Sequence, residues 1–497
     1  MHDSIPTTAF AARLDGAGGG LCLPGMLSVP VAGGGLLLML LLDGARVVVV
    51  GLGDTGLSLA RWLKRQGAAV SATDTRKSPP QAAVLQRECP GVPVTLGVGP
   101  DAAIAGADVI AVSPGVDRRS GAIAQAAQRG VPVVGDVELF AQALAKRGDR
   151  TPLIAITGSN GKSTVTAMAG EICAAAGLRP LVAGNIGLPV LDALTGIDEG
   201  AAKPGAFVLE LSSFQLESTD SLRPLAATVL NISEDHLDRY DGLNEYARAK
   251  ARIFAGDGVQ VLNRDDARSM AMAYRGRTVI TFGLDVPREP EHWGLSGHDA
   301  GAAMRRGAQI VAPVSALRLA GLHNAANALA AGALCRAIGV ADEAIARGWR
   351  TFDGLPHRVK NINEINDISF YDDSKGTNVG ATVAALTGMR EPVVLIAGGD
   401  GKGQDFAPLA AAAKGRARAI VLIGRDAPLI AAAIGNAVPL LNAADMAQAV
   451  AMAFDAAQSG DAVLLSPACA SYDMFRNYVH RAEVFAEAVA ALKRRQA

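Results

Sequence analysis

The stretch around which this chain is organised reads Pro152-Leu-Ile-Ala-Ile-Thr-Gly-Ser-Asn-Gly-Lys-Ser-Thr164. The apolar run from Leu153 to Ile156 predicts a buried parallel strand. A glycine-bearing turn follows, and the pattern of apolar residues after Lys162 predicts a helix that ends at Gly177. Backbone N–H groups at such a helix N-terminus attract an anion, Lys162 adds a positive charge, and Ser163 can hold Mg²⁺. The stretch therefore predicts a nucleotide-phosphate site.

The spacing of the two glycines departs from the usual phosphate-loop pattern. That pattern has four residues between its glycines, whereas Gly158 and Gly161 enclose only Ser159 and Asn160. The alternative is an ordinary turn between strand and helix, with Lys162 as a solvated surface residue. We favour the nucleotide site because strand, loop, Lys-Ser pair and helix agree.

Composition limits the class of protein. A chain of 497 residues is long enough for about three domains. Its net charge of −1 argues against a general nucleic-acid binder. The five cysteines are scattered, which suits a reducing cytosol and predicts neither a zinc site nor a disulfide framework. The apolar run Leu36 to Leu42 is too short to cross a membrane and lacks the features of a signal peptide. We expect a cytoplasmic protein that binds no membrane.

The first third predicts a small doubly wound domain behind an irregular extension over residues 1 to 43. A strand from Arg46 to Val50 leads into Gly51-Leu-Gly-Asp-Thr-Gly56, which matches G-x-G-x-x-G. The next strand ends at Asp74, near the spacing at which an acid holds an NAD ribose. An NAD-dependent oxidoreductase is therefore one alternative. The same geometry also suits any nucleotide diphosphate.

The middle third places two polar side chains at the carboxyl ends of buried strands, where open α/β sheets bind their ligands. Glu210 ends the strand Ala206 to Leu211 and is a candidate carboxylate ligand for Mg²⁺; its alternative is a surface residue in a turn. His236 follows the strand Ala227 to Ile232 among three acids, which favours a metal or substrate role over a satisfied core histidine.

Helices of the middle third carry three further candidates. Lys250 lies on a predicted helix from about Leu243 to Phe254, and physical reasoning alone makes it a solvated lysine. Asn324 and Asn327 are one helical turn apart, so both can face one ligand. Their amides suit a purine edge or a phosphate.

The last third predicts a second Rossmann-like sheet with one functional edge. Four strands, from Ile368, Val393, Ala419 and Ala462, each lead into a polar loop rich in glycine or serine. Lys375 and Lys402 project from two of these loops. Loop lysines at the carboxyl ends of strands favour anions over a purely surface role.

The assembled motifs resemble those of the Mur ligases. The matching stretches run in family order and cover nearly everything after residue 44; they are Ala155–Thr164, Gly184-Asn-Ile-Gly187, Leu209–Glu217, Glu234–Tyr240, Gly354-Leu-Pro-His-Arg358, Asp373-Ser-Lys375 and Leu465–Ser471. The resemblance implies an α/β fold of three domains. These are a Rossmann-like UDP-binding domain over 44–148, a central P-loop-type ATPase domain over 149–353 and a C-terminal Rossmann-like, amino-acid-binding domain over 354–497.

The resemblance also implies a reaction. ATP would phosphorylate the carboxylate of UDP-N-acetylmuramoyl-L-alanine, and the amine of D-glutamate would attack the resulting acyl phosphate. The product is a peptidoglycan precursor, which would link the chain to cell-wall synthesis, cell shape and cell division. Two anions must meet in the first step, so Lys162 and two Mg²⁺ ions would be needed.

Site residues carried over by position fall into four groups. The catalytic and metal-binding group would be Lys162, Ser163, Glu210, His236 and Lys250, with Lys250 carbamylated so that it offers an anionic oxygen to Mg²⁺. ATP would contact Gly158, Ser159, Asn160, Gly161, Lys162, Ser163, Thr164, Asn324, Asn327, Arg358, Asp373 and Lys375. The UDP substrate would contact Asp54, Thr55, Asp74, Thr75, Arg76, Ser113, Gly115, Asn185, Ser212, Gln215 and His236. D-Glutamate would contact Thr377, Lys402, Ser471 and Tyr478.

Two positions depart from the family pattern, and other functions stay open. Tyr478 stands where Phe is expected, a change that should alter the D-glutamate pocket only slightly. Asp372 stands where Asn is usual, and its extra charge is expected to shift nucleotide affinity. Asp235 and His236 are both candidates for the group that accepts the amine proton. The alternatives are the oxidoreductase, a catalytically inactive nucleotide-binding scaffold, and folylpolyglutamate synthase, which lacks a UDP-binding first domain. We expect a monomer that acts on small molecules.

Overall fold

The computed structural model describes residues 26–31, 35–119, 121–236, 239–297, 301–319, 321–389 and 391–496. Residues 1–25 of the predicted extension, and Asp238 beside His236, lie outside this part of the chain. The chain divides into two compact units, Met1–Gly148 and Asp149–Ala497.

The first unit is a parallel α/β sheet preceded by a hairpin. Its strands are β1 (Met26–Val31), β2 (Gly35–Leu40), β3 (Arg46–Val50), β4 (Ala69–Asp74), β5 (Val94–Leu96), β6 (Val109–Val112) and β7 (Val133–Val134), and its helices are α1 (Asp54–Arg65), α2 (Ala82–Glu88), α3 (Asp101–Ile104), α4 (Gly121–Gln128) and α5 (Asp136–Lys146). The main sheet has the order β5-β4-β3-β6-β7, and its strand pairs are parallel.

Close packing between β3 and α1 requires the glycine motif after β3. A Cβ at Gly56 would lie 1.9 Å from the Gly51 carbonyl oxygen, so only glycine lets the start of α1 approach the strand. The valines Val47 and Val49 are fully buried behind that turn. The predicted doubly wound arrangement is present.

The segment before β3 differs from the prediction of an irregular extension. Strands β1 and β2 pair antiparallel, with Met26 opposite Leu40 and Val31 opposite Gly35. The Leu40 N–H donates to Gln142 Oε1 at 3.0 Å, which joins the hairpin to α5. Both segments are almost wholly apolar, so they show no period-2 alternation, and their strand character could not be detected from periodicity.

The second unit begins with a mixed sheet. Its strands are β8 (Leu153–Thr157), β9 (Pro180–Gly184), β10 (Ala206–Glu210), β11 (Ala226–Val229), β12 (Val259–Asn263), β13 (Val279–Phe282), β14 (Trp293–Ser296), β15 (Ala303–Arg306) and β16 (Gln309–Pro313), and its helices are α6 (Lys162–Ala175), α7 (Val190–Asp198), α8 (Ser213–Glu217), α9 (Leu243–Ala251), α10 (Ala267–Met270), α11 (Leu322–Ala337) and α12 (Asp342–Thr351), with 3₁₀ turns at Arg252–Phe254 and Val314–Ala316. The order is β16-β15-β14-β13-β12-β11-β8-β10-β9. Strand β15 pairs antiparallel with both β14 and β16, and the other strand pairs described in this sheet are parallel.

The same unit ends with a second sheet. Its strands are β17 (Lys360–Ile365), β18 (Ile368–Asp372), β19 (Val393–Gly398), β20 (Ala417–Ile423), β21 (Leu440–Asn442) and β22 (Ala462–Leu465), and its helices are α13 (Val379–Gly388), α14 (Ala407–Ala413), α15 (Ala427–Ile434), α16 (Met446–Ala456) and α17 (Tyr478–Gln496). The order is β17-β18-β22-β19-β20-β21, with β17 antiparallel to β18.

Helices α6, α11 and α12 bury the core of the mixed sheet. Met168 and Ile172 of α6 are fully buried among apolar residues of α11 and α12. Trp293 and Trp349 meet edge to face with ring centroids 6.0 Å apart, and Trp349 Nε1 donates to the Ala328 carbonyl at 3.1 Å. This packing fixes α6, and with it the phosphate loop at its N-terminus.

The predicted α/β fold is confirmed, with additions. The sequence did not predict the antiparallel strands β15, β16 and β17, which extend the two sheets at their edges. The strand predicted over Ala227 to Ile232 ends at Val229, because the following residues bind the phosphate loop. Within the described residues, the helices are too short or too polar to cross a membrane.

Candidate active site

The turn between β8 and α6 requires glycine at two positions. Gly161 has a φ of +82°, and a Cβ there would lie 2.6 Å from Asn327 Oδ1. Gly158 has a φ of +153°, with Leu230 Cβ 3.0 Å from the place of its missing side chain. The short loop is therefore closely packed, and Asn327 of α11 lies directly beside it.

Residues after β11 fix the same loop. The backbone carbonyl of Asn231 accepts the Ser159 N–H at 2.9 Å, and its side-chain Oδ1 accepts the Asn160 N–H at 2.8 Å. Ser159 Oγ donates to the Ser233 carbonyl at 3.0 Å and accepts the Ser233 N–H at 2.9 Å. Sequence reasoning missed Asn231 and Ser233, although polar residues after a buried strand were the signal that identified Glu210.

Two lysine amines converge on one carbonyl of the loop. Lys162 Nζ donates to Gly158 O at 2.8 Å and to Ser159 O at 2.9 Å. Lys250 Nζ donates to Gly158 O at 2.9 Å and lies 4.5 Å from the centre of the Tyr246 ring. Lys250 is buried, so it is not the solvated lysine that physical reasoning alone predicted.

Burial changes the chemistry of both amines. It lowers the pKa of Lys162 below its ordinary value, against the opposing effect of the Glu210 and Asp235 carboxylates. Burial, with the charge of Lys162 as a second cause, holds the pKa of Lys250 well below its ordinary value. Burial therefore favours the neutral form of both amines, and a neutral amine is nucleophilic.

Glu210 lies beside the loop with one oxygen available. Its side chain is buried at the end of β10, and Oε1 accepts from Asn185 Nδ2 at 2.7 Å. Oε2 is also buried, and it has no hydrogen-bond partner. A buried carboxylate oxygen without a partner costs free energy unless a cation or a hydrogen-bond donor binds it.

His236 and Asp235 form the next group along the chain. His236 has a left-handed φ of +56°, its Nε2 lies 3.6 Å from Asp235 Oδ2, and its ring meets Phe214 at 4.8 Å. Burial lowers the pKa of His236. Burial alone would raise the pKa of Asp235, but the positive charges of His236 and Lys402 outweigh it, and the pKa is lowered.

Three contacts join the phosphate loop and Asp235 to residues around the last sheet of the same unit. Arg358 Nη2 donates to Ser163 Oγ at 3.1 Å, and Asn378 Nδ2 donates to Asn160 Oδ1 at 3.0 Å. Lys402 Nζ lies 3.4 Å from Asp235 Oδ1. The predicted residues Arg358 and Lys402 therefore reach the neighbourhood of the phosphate loop, and Asn378 is a contact that the sequence did not reveal.

The end of β18 carries two predicted nucleotide contacts. Burial raises the pKa of Asp373 to about 7, and Ser466 Oγ donates to its Oδ2 at 2.6 Å. Burial lowers the pKa of Lys375 to about 8, with Arg358 as a further cause. Lys375 Nζ lies 3.8 Å from the centre of the Tyr478 ring, so the residue that departs from the expected Phe contacts this lysine.

Asp372, the second departure, has a partner within the same sheet. Its Oδ2 lies 2.6 Å from His357 Nδ1, and its Oδ1 accepts the Ser374 N–H at 2.9 Å. The added carboxylate is therefore hydrogen-bonded within the protein.

The remaining predicted residues take defined places. In the first unit, Asp74 accepts the Leu52 N–H at 2.7 Å and Arg76 Nη2 at 2.7 Å, and the Arg76 hydrogen bond lowers its pKa to about 2. Ser113 Oγ donates to the Gly51 carbonyl at 3.0 Å. In the second unit, Ser212 and Gln215 form a capping box at the start of α8. The other predicted contacts lie in helices or in the segments between elements. Asp54 and Thr55 begin α1, Thr164 lies in the first turn of α6 and Asn324 in the first turn of α11, whereas Thr75, Gly115, Thr377 and Ser471 follow strands.

The donor set near the loop suits a hard cation. Within the described residues, His, Cys, Asp and Glu side chains do not gather in groups of three or more that could hold a metal ion. The free Glu210 Oε2 and the Ser163 hydroxyl are oxygen ligands of the type that Mg²⁺ prefers, and phosphate oxygens and water usually complete its coordination. The residues present therefore fit Mg²⁺ shared with a nucleotide.

Family models match three successive parts of the chain. The MurD-like N-terminal domain of Mur ligases matches residues 45–135, the Mur ligase middle domain residues 156–335, and the Mur ligase glutamate ligase domain residues 357–469. The first of these covers Gly51 to Gly56, which removes the oxidoreductase alternative.

Curated relatives match over nearly the whole chain. A UDP-N-acetylmuramoylalanine–D-glutamate ligase of Thiobacillus denitrificans is 56% identical over 469 residues, which cover 92% of this chain and 98% of that protein. A ligase of the same name from Methylobacillus flagellatus is 56% identical over 460 residues, covering 92% and 99%. Among solved structures, a UDP-N-acetylmuramate–alanine ligase of Thermotoga maritima matches with a TM-score of 0.57 at 19% identity, covering 90% of this chain and all of that one, a likeness of fold alone.

Proposed function

Because this chain belongs to the Mur ligase family and is a ligase, we propose that it joins D-glutamate to UDP-N-acetylmuramoyl-L-alanine at the expense of ATP. The observation that carries the proposal is the group around the phosphate loop. There, Lys162 of α6 and Lys250 of α9 bond to the same Gly158 carbonyl and interact electrostatically with Glu210 of β10. Arg358 and Lys402, from the part built on the last sheet, reach Ser163 and Asp235 beside them.

The proposed reaction has two steps. An oxygen of the substrate carboxylate attacks the γ-phosphorus of ATP, ADP leaves, and an acyl phosphate forms. The D-glutamate amine then attacks the acyl carbon and loses a proton, and inorganic phosphate leaves with the oxygen that came from the carboxylate. Asp235 and His236 are both candidates for the group that accepts that proton. The contribution of the protein to the first step is electrostatic, because two anions must approach each other.

In this proposal, lysine and arginine side chains bind the phosphates of ATP. Lys162 would leave the Gly158 and Ser159 carbonyls, which hold its amine by hydrogen bonds of 2.8 and 2.9 Å, and turn to the β- and γ-phosphates. Arg358 and Lys375 would approach from the opposite side. Asn324 and Asn327 would face the nucleotide, and the backbone N–H groups from Gly158 to Thr164 would surround the phosphates.

Mg²⁺ would be held by Ser163 and Glu210 at one position, and by Glu210, His236 and Lys250 at another. When bound, it would neutralise charge on the phosphates and polarise the phosphoryl group. An ammonium cannot ligate a cation, so we propose that Lys250 is carbamylated: its neutral amine would add to CO₂, release a proton and offer carboxylate-like oxygens. The burial of Lys250 supports this role.

The two substrates would occupy separate surfaces. We assign the uridine diphosphate to the loops of the first unit that carry Asp54, Thr55, Asp74, Thr75, Arg76, Ser113 and Gly115. The muramoyl end would contact Asn185, Ser212, Gln215 and His236. Thr377, Lys402, Ser471 and Tyr478 would hold D-glutamate, with Lys402 pairing with its side-chain carboxylate. A cytoplasmic location and a monomeric state remain predictions.

Product analysis tests the proposal. The full chain is incubated with ATP, Mg²⁺, UDP-N-acetylmuramoyl-L-alanine and single amino acids, and products are identified by mass spectrometry. We expect the amide of D-glutamate. L-Alanine and L-lysine should be poor substrates, because a site built for a side-chain carboxylate leaves polar groups unpaired without one. The expectation that L-glutamate is also poor rests on the resemblance to the family alone. Equal product from L-glutamate, or none from D-glutamate, would refute the proposal.

A further inference from the structure

Arg425 lies outside the sites assigned above but bonds to the loop that carries Lys402. It follows β20 in the turn before α15. Its Nε donates to Asp426 Oδ1 at 3.1 Å, and its Nη2 donates to Asp426 Oδ2 at 3.2 Å. The same Nη2 also bonds to Asp400 Oδ1. One guanidinium therefore spans two carboxylates.

These two carboxylates hold successive backbone groups of the loop. Asp426 Oδ2 accepts the Gly401 N–H at 2.7 Å, and Asp400 Oδ1 accepts the Lys402 N–H at 3.0 Å. Lys402 has a left-handed φ of +51°, a conformation that costs a residue with a side chain roughly 1–2 kcal/mol. The hydrogen bonds to Asp400 and Asp426 keep the loop in this shape.

The network also reaches the loop of Ser471. The Asp400 N–H donates to the Ala470 carbonyl at 3.0 Å, and the Ala470 N–H donates to the Asp400 carbonyl at 2.8 Å. The Arg425 N–H donates to Asp473 Oδ2 at 2.9 Å. Arg425 and its partners thus hold the two loops from which Lys402 and Ser471 project.

Charge explains why an arginine is needed at this position. Two carboxylates that converge on neighbouring N–H groups repel each other, and a cation between them removes the repulsion. The planar fork of arginine can bond both at once, whereas a lysine ammonium has no such fixed spacing. The Arg425 side chain is 58% exposed, so its own ion pairs add little to folding stability.

We propose that Arg425 is a positioning residue of the amino-acid site, which acts through Asp400 and Asp426 to hold Lys402 in its binding conformation. The inference rests on the proposed function, in which Lys402 pairs with the side-chain carboxylate of D-glutamate. Arg425 makes no contact with substrate in this account, so its effect is confined to the affinity for the amino acid.

Steady-state kinetics of Arg425→Lys and Arg425→Gln test the inference. Both variants should raise the KM for D-glutamate on the order of tenfold, the lower end of the cost of losing a group that supports a binding residue. The KM for ATP and kcat at saturating D-glutamate should stay near their wild-type values. The matched control is Arg418→Lys at the start of β20, where Arg418 makes a bidentate pair with Asp461 at the opposite end of the same strand. This control should leave the KM for D-glutamate unchanged.

The outcomes separate this inference from the proposed function. If the wild-type chain does not use D-glutamate, the proposed function fails and the inference fails with it. If the wild type uses D-glutamate and Arg425→Lys has the same KM for it, a positive charge alone suffices at this position and the positioning role is wrong. Equal increases in the KM for ATP and for D-glutamate, or loss of soluble protein in both variants, would make Arg425 a general structural residue and would also overturn the inference.

Discussion

At the scale of single residues, Lys250 shows most clearly how burial changes a role. From the sequence alone, a helical lysine is expected to be solvated, yet Lys250 is buried and donates to the carbonyl of Gly158. Its place beside Lys162 arises from the packing of α9 against the loop, which no local pattern records. The resemblance to a known family was therefore the only route from the sequence to this residue.

Replacement of Lys250 tests its role as a modified ligand. If a carbamate supplies oxygens to a cation, Lys250→Ala should lose activity at least ~100-fold, the scale of an electrostatic contact to the reacting group. Acetate or formate should restore part of that activity by filling the space with a carboxylate. The control is Lys203→Ala, since Lys203 is an exposed residue paired with Asp149. Full activity of Lys250→Ala without additives would make Lys250 a structural lysine.

The lowered pKa of Lys375 predicts that the affinity for ATP depends on pH. Burial lowers its pKa to about 8, so the free protein carries this charge below that pH and loses it above. The Kd for ATP should therefore rise between about pH 8 and about pH 9, by at most roughly tenfold per pH unit. Lys375→Arg keeps its charge throughout and should give a flatter profile. Calorimetric titration at several pH values measures both, and identical profiles would show that Lys375 does not contact the nucleotide.

At the scale of elements, α6 links the core to the phosphate loop. Its two ends carry glycines with nearly equal positive φ angles, +82° at Gly161 and +80° at Gly177. Asn327 Oδ1 lies 2.6 Å from the position of a Cβ at Gly161, whereas no atom lies within 4 Å of that position at Gly177. The two ends therefore offer a matched pair of substitutions.

Alanine at each end separates backbone strain from the shape of the site. Gly161→Ala and Gly177→Ala should both destabilise the protein by roughly 1–2 kcal/mol, the cost of a left-handed residue with a side chain. Only Gly161→Ala should raise the KM for ATP, on the order of tenfold or more, because Asn327 must also move. Thermal unfolding measures the first effect and kinetics the second. An equal KM for ATP in the two variants would contradict the assignment of the loop.

Elements also show what the sequence could and could not reveal. The strands that end at Thr157, Glu210, Asp372 and Leu465 were predicted within a residue or two. Three of them are continuous apolar runs that end at or before a polar residue, and β18 is apolar up to Tyr371 apart from Ser369. Strands β15, β16 and β17 were among those missed. β16 and β17 are edge strands, β15 lies next to β16, and the alternation of apolar and polar residues in them is weak. The bond from Asn378 to Asn160 joins residues 218 positions apart, and no local pattern encodes such a contact.

At the scale of the whole molecule, the parts of the second unit built on its two large sheets meet at the proposed reaction site. Arg358, Asn378 and Lys402 reach Ser163, Asn160 and Asp235. The residues predicted to bind phosphates and those predicted to bind the amino acid therefore lie on facing loops. This arrangement suits a reaction in which an acyl phosphate formed on one side meets an amine held on the other.

The measurement that tests the central claim most directly follows an oxygen atom. UDP-N-acetylmuramoyl-L-alanine labelled with ¹⁸O in its terminal carboxylate is incubated with the protein, ATP, Mg²⁺ and D-glutamate, and the inorganic phosphate is analysed by mass spectrometry. If the carboxylate is activated as an acyl phosphate, each phosphate released should carry one labelled oxygen. Phosphate without label, formed together with the amide product, would contradict the account.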